Sequence, residues 1–344
     1  MASSGWRLAV PRPSCDSAAV PGIGLITNPR SRLNRRDPSR IQRLGYLIGA
    51  HGQAEATRSL DDLHRACEDF HRERIDILGI SGGDGTLHHT LTAMIRAYGT
   101  DSLPPIAILR GGTMNTVAAS FGIRGATPRL LFELIDKHKR GQPFDEFTRP
   151  LLQVGDTYGF IFGNGLIYNF LEAYYETGHP SPAVAARLVA QAASSAVFGG
   201  ALARRLYRRV HARVTVDGET WARQDFSVVA ASVVDQIGLG FRPFYRTRDR
   251  VDRFQVLGIH TDVAGFISEL PRVRAGAPMR RDKVIDALAQ EVLFESDEDI
   301  GYTIDGDTYV SKRGEGLRVA LGPTIRLIRL TGDARGEEQL FAEN

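Results

Sequence analysis

The chain has 344 residues, with 43 Lys and Arg against 40 Asp and Glu, a net charge of +3 and a pI near 8.9. So mild a basic balance gives no footing for nucleic-acid binding, and suits at most a loose attraction to an anionic membrane surface. With 42% apolar and 24% charged residues the composition is that of an ordinary globular protein, and the length favours two domains over one core. Cys15 and Cys67 form neither a disulfide framework nor a metal-ligand cluster, which fits a reducing, cytoplasmic setting. Met1–Val20 contains no apolar signal-peptide core. No run reaches the ~18 apolar residues of a membrane span, so any lipid is met from the water side.

Residues 1–20 read as a poorly ordered tail. From 21 to 147 strand and helix signals alternate. Strands are expected at 22–28, 45–50, 75–81 and 105–109. Helices are expected at 58–74, 87–98 and 127–140, with a short one starting near Met114. Such alternation gives a parallel sheet covered by helices, with ligands beyond the carboxyl ends of its strands.

The pattern changes near Pro150. Between 148 and 323, short alternating segments at 151–155, 158–163, 209–216, 224–233, 253–260, 290–296, 301–305 and 317–321 predict an antiparallel sheet or sandwich. Ala183 to Arg209 reads as one Ala-rich helix ending in Arg204-Arg205-Leu206-Tyr207-Arg208-Arg209. It is either a packing helix whose basic end suits its macrodipole, or a flap with its apolar face to acyl chains and its arginines to lipid headgroups. The last segment, 324–344, opens with Thr324-Ile325-Arg326-Leu327-Ile328, which either closes the second domain or returns to the first.

The most telling motif is Ser81-Gly82-Gly83-Asp84-Gly85-Thr86, between the apolar run Ile75–Ile80 and a helix-like segment from Leu87. A strand, a glycine turn and a helix start make a phosphate cradle. Asp84 would repel a phosphate unless it holds a metal ion or a water there. No Gly-Lys-Ser/Thr occurs, and no Gly-x-Gly-x-x-Gly follows the first strand, so a P-loop NTPase and a dinucleotide dehydrogenase are both disfavoured. Asn28-Pro29-Arg30-Ser31 follows the first strand and Gly111-Gly112-Thr113-Met114-Asn115 the fourth. All these motifs should therefore meet on one rim.

Together with the distant Asp305-Gly306-Asp307, this motif order resembles the diacylglycerol kinase catalytic-domain family, which includes bacterial lipid kinases and is related to sphingosine kinases. The resemblance covers roughly residues 22 to 330 by motif order. It implies an α/β N-terminal domain similar to those of phosphofructokinases and NAD kinases, followed by a β-sandwich-like domain, with the active site in the cleft between them. It implies ATP and Mg²⁺ as cofactors and a lipid substrate at the membrane surface, peripheral membrane association, and room for a homodimer. The nucleotide would meet Asn28, Pro29, Arg30, Thr57, Gly82, Gly83, Asp84, Gly85, Thr86, Gly112, Thr113 and Asn115. The catalytic set would be Asp84 with Asp305 and Asp307, one of the last two taking the proton of a lipid hydroxyl. A metal ligand is not fixed, Asp84 being a candidate through Mg-ATP.

The chain departs from the family pattern at four places. Asp307 stands where the family has Glu, Thr116 replaces an acid, and His88-His89 stand where Asn-Glu is common. The family's Asp-Asp-Gly metal loop is met only by Arg248-Asp249-Arg250-Val251-Asp252. Val216-Asp217-Gly218-Glu219 spells Asp-Gly-Glu as well, and is expected to be a plain hairpin. The alternatives to a lipid kinase are a NAD kinase-like phosphotransferase and a nucleotide- or lipid-binding protein that has lost catalysis.

Overall fold

The computed structural model describes residues 22–178, 181–197 and 200–332. The tail expected at 1–20 and the chain end from 333 lie outside the described residues. The first half runs β1 (Ile23–Thr27), α1 (Arg32–Arg36), α2 (Ser39–Ile48), β2 (Gly52–Ala56), α3 (Leu60–Glu73) and β3 (Ile77–Ser81). It continues with α4 (Asp84–Tyr98), β4 (Ile106–Ile108), α5 (Thr116–Ser120) and α6 (Thr127–Lys139). Strands β2-β1-β3-β4 lie side by side and parallel, as the alternation predicts.

The strand expected at 45–50 is instead the end of α2, and β2 starts at Gly52. Leu44 and Ile48 are buried one helical turn apart, which is the helical period. The true strand, Gly-Gln-Ala-Glu-Ala, carries no apolar run because it is the sheet edge. Gly52 is needed there, since a Cβ would lie 1.9 Å from the Ile23 carbonyl oxygen.

The second half begins with β5 (Glu146–Val154), β6 (Thr157–Gly159), β7 (Ile161–Asn164), α7 (Leu166–Glu176), α8 (Pro182–Val197) and α9 (Ala201–Leu206). The single helix expected at 183–209 is thus two. Next come β8 (Val210–His211), β9 (Arg213–Val216), β10 (Glu219–Thr220), β11 (Asp225–Phe226) and β12 (Val228–Ser232). The chain ends with β13 (Phe254–Ile259), α10 (Val263–Arg274), β14 (Val284–Ala289), β15 (Glu291–Glu295), β16 (Ile300–Ile304), β17 (Asp307–Ser311) and β18 (Leu317–Ile328).

Strand β18 joins the halves. Its first part pairs antiparallel with β15, and its end pairs parallel with β4 through Leu327 and Ile328, so the final apolar run does return to the first sheet. Its register against β5 slips between Leu321 and Thr324, where Gly322-Pro323 interrupts the ladder.

The six-stranded sheet β14-β13-β12-β7-β16-β17 is antiparallel. One face of it packs on the main core, with the Phe162 and Phe294 rings 5.5 Å apart. On β12 and β13 the alternate residues Val228, Ala230, Leu257 and Ile259 belong to a separate cluster with Phe244, Val273 and Met279. Every residue of both strands is buried, because both faces are covered. Val216-Asp217-Gly218-Glu219 is the two-residue hairpin expected, with Asp217 at φ 47° and Gly218 at φ 87°. Among the described residues, no helix is long and apolar enough to cross a membrane.

Candidate active site

Three loops at the carboxyl ends of β1, β3 and β4 interlock. The Asn28 backbone N–H donates to the Ser81 carbonyl (3.1 Å), and its side-chain amide donates to the Thr86 hydroxyl (2.8 Å). The Gly111 N–H donates to the Gly82 carbonyl at 2.7 Å. A Cβ on Gly112 would lie 2.2 Å from the Gly83 Cα, and one on Gly82 would lie 2.3 Å from the Thr86 Cβ. These glycines are required by the close approach of two loops. Asn115, at φ 49°, closes the β4 loop by accepting the Gly112 N–H (2.9 Å) and donating to its carbonyl (3.1 Å).

Of the expected nucleotide set, Asn28, Arg30, Thr57, Gly83, Asp84, Gly85, Thr86, Gly112 and Thr113 line one cavity. Pro29, Gly82 and Asn115 are not among its lining residues; they shape the loops behind it. Thr57 is fixed by its N–H to the Thr27 carbonyl (3.0 Å). The first turn of α4 begins at this rim, where helix N–H groups lack intrahelical partners. Arg32, Arg35 and Arg58 stand around the same cavity, and sequence reading passed over them.

The two carboxylates expected to do most are largely spent on backbone. Asp84 accepts the N–H groups of Thr116 (3.0 Å) and Val117 (3.1 Å), so it ties the start of α4 to the start of α5. These two bonds give the carboxylate a role in joining the loops that the motif alone does not show. Burial pushes its carboxyl up, against the pull of those two bonds. Asp305, at φ 49° in the β16–β17 turn, accepts the Phe160 N–H (2.9 Å) and the Ile161 N–H (2.9 Å). Burial raises it well above the usual carboxylate range, and the Asp84 and Asp307 charges add to that.

Asp307 is different. Its side chain is 37% exposed, it lines the cavity, and its Oδ2 lies 3.1 Å from His89 Nε2. His88 turns the other way and is fully buried. Its Nδ1 faces the Tyr158 carbonyl (2.7 Å) and its Nε2 the Tyr309 hydroxyl (2.8 Å). A neutral ring, donating from Nδ1 and accepting at Nε2, satisfies both. Burial and the neighbouring His89 push its pKa down to about 4. His88, His89 and Asp307 lie together, with ligand atoms within 4.8 Å. Both nitrogens of His88 are already bonded, so only two of the three could reach an ion.

The cavity has a volume of about 770 Å³. From the loops it continues without a break into a chamber in the second half. That chamber is walled by the chamber-facing residues of β12 and β13, by Leu166 and Phe170 of α7, and by Phe266 and Leu270 of α10. Val189 and Ala192 of α8 and Leu206 of α9 close it. Its arginines are largely paired, Arg205 with Glu176 and Arg209 with Asp225.

A phosphate chain fits the rim, because the free N–H groups of the first turn of α4 open on the cavity and arginines stand around it. The Asp84 and Asp305 carboxylates are occupied by backbone N–H groups, so a divalent ion entering with a phosphate chain would be held chiefly by the phosphates. The segment Arg248–Asp252 does not fit an accessory cation. Asp252 pairs with Arg250 (2.7 Å), Asp249 lies 3.5 Å from Arg246, and no residue of the segment lines the cavity.

An α/β half with interlocked glycine loops is thus joined to an antiparallel half with an apolar chamber. Residues 23–145 match the family model of the diacylglycerol kinase catalytic domain, so the resemblance read from the motifs is met over the α/β half. Solved structures with the same fold include two from Bacillus anthracis str. Sterne, each named as a diacylglycerol kinase. They share 13% and 14% sequence identity with TM-scores of 0.62 and 0.66, and each comparison covers 90% of this chain and 97% of the other. No curated protein matches the sequence.

Proposed function

We propose that this protein is an ATP-dependent lipid kinase that transfers the γ-phosphate to a lipid hydroxyl. The observation that carries the reading is the single cavity with a phosphate cradle at one end and an apolar chamber at the other. A lipid drawn from a membrane surface would bury its hydrocarbon among Phe244, Leu257 and Ile259 and present its hydroxyl beside Asp307. Burial of apolar surface at roughly 25 cal/mol per Å² gives such a chamber its affinity for chains. The dinucleotide of the NAD kinase alternative has no use for these walls.

Asp307 is the turn carboxylate left free to interact with the acceptor hydroxyl, since both Asp305 oxygens hold backbone N–H groups. Backbone N–H groups of α4 and the rim arginines would meet charge on the transferring phosphoryl group. Mg²⁺ would supply further neutralisation when bound with the nucleotide, and no side chain is assigned as its ligand.

The test is transfer of label from γ-labelled ATP, with Mg²⁺, to a panel of diacylglycerol, sphingoid and isoprenoid alcohols in mixed micelles, with one NAD lane. Label in one lipid class, lost in Gly112→Ala, supports the reading. Label in NAD alone moves the assignment to NAD kinase, and ATP binding with no transfer moves it to a binding protein.

A further inference from the structure

We propose that the hydroxyl proton is taken by a His89–Asp307 dyad, with the imidazole as acceptor and the carboxylate orienting it, instead of by a lone carboxylate. The inference rests on the phosphoryl-transfer reading above. His89 lies in the second turn of α4 and lines the cavity with Asp307. Its Nε2 is 3.1 Å from Asp307 Oδ2, although that oxygen receives no aligned hydrogen bond. A small rotation of the ring aligns the pair, and such contacts commonly tighten once substrate is bound.

With Nε2–H directed at Asp307, the Nδ1 lone pair is left as the proton acceptor. As the hydroxyl oxygen forms its bond to the γ-phosphorus, its proton moves to Nδ1. The bond from that phosphorus to the bridging oxygen breaks, and ADP leaves with the electron pair. The imidazolium, held beside Asp307, then returns the proton to solvent.

The groups facing the dyad are Asp84 and His88 on α4, Asp305 and Tyr309 on the hairpin, and Tyr175 on α7. Tyr175 donates to the Gly306 carbonyl at 2.7 Å, and burial pushes its hydroxyl up to about 12. His88 is bonded on both nitrogens. Neither is free to accept the hydroxyl proton.

The experiment is the pH profile of kcat/KM for wild type, His89→Gln and Asp307→Asn, on the best acceptor of the lipid panel, with nucleotide affinity measured beside it. Wild type should lose kcat/KM on the acid side of its profile, as the proton acceptor becomes protonated. His89→Gln should lose on the order of 10²-fold at neutral pH, keep its nucleotide affinity and lack that limb. Ionisation of the nucleotide is common to both proteins and cancels. A wild-type kcat/KM that stays flat on the acid side overturns the dyad even if the variants do not fold. An unaltered profile in His89→Gln overturns it while leaving lipid phosphorylation standing. No transfer by wild type to any acceptor overturns both readings together.

Discussion

Asp84, the first residue of α4, accepts the backbone N–H of Thr116, the first residue of α5, at 3.0 Å. The β3 loop and the β4 loop are thereby held at a fixed spacing, with the Val117 N–H as a second bond at 3.1 Å. Position 84 is therefore structural as well as part of the site.

Asp84→Asn should not be silent in stability. The amide removes a negative charge from two helix N-termini and turns a donor toward an N–H. A loss of about 1–2 kcal/mol is expected, with weaker nucleotide binding. Thermal unfolding and nucleotide titration check this; an unchanged melting temperature would remove the bridging role.

Two glycine substitutions should have opposite signs. Gly112→Ala places a Cβ 2.2 Å from the Gly83 Cα, and backbone must move. It should cost about 1–3 kcal/mol and abolish transfer. Gly45→Ala, inside α2, meets only the Ala54 Cβ at 3.8 Å and should stabilise by roughly 0.5–1 kcal/mol. Urea unfolding of both variants tests the contrast.

The apolar chamber can be filled from its wall. Ala230 is 3% exposed and lines the cavity from β12. Ala230→Leu should raise the acceptor KM by about 4- to 15-fold, the loss expected from displacing one or two chain methylenes. Nucleotide affinity should stay as it is. Equal acceptor KM values in the two proteins would place the lipid elsewhere.

His88 makes acid stability a readout of the interface between α4 and the hairpin. Its folded pKa, about 4, lies below the ordinary imidazole value of 6.5. The unfolded chain therefore binds the proton first, and stability is lost as pH falls from 6.5 toward 4. The full effect is on the order of 3 kcal/mol. The raised carboxyls of Asp84 and Asp305 act in the opposite sense, so the comparison must be with His88→Gln. Wild type should lose more stability than the variant between neutral pH and pH 4; parallel losses would show that His88 carries no shifted ionisation.

The cradle was legible in the sequence because its determinants are local. Gly82-Gly83-Asp84-Gly85-Thr86 follows a fully buried strand and starts a helix, and the Asn28 and Gly112 loops share that grammar. Parallel strands then carry all three to one rim, which is why Asn28, Gly83 and Gly112 meet. The edge strand β2 was not legible, since its pairing with β1 rests on backbone alone and its side chains carry no apolar pattern.

Tertiary structure decided the rest. His89 and Asp307 come together only because the β16–β17 hairpin folds back over α4, a contact that no local spacing encodes. Asp305 and Asp307 are two residues apart and both line the cavity, yet both Asp305 oxygens hold backbone N–H groups while Asp307 lies beside His89. The chamber was hidden for a related reason. A strand buried on both faces has the same continuous apolar sequence whether its second face meets packed core or open volume, and only the placement of α7, α8 and α10 leaves β12 and β13 facing a cavity.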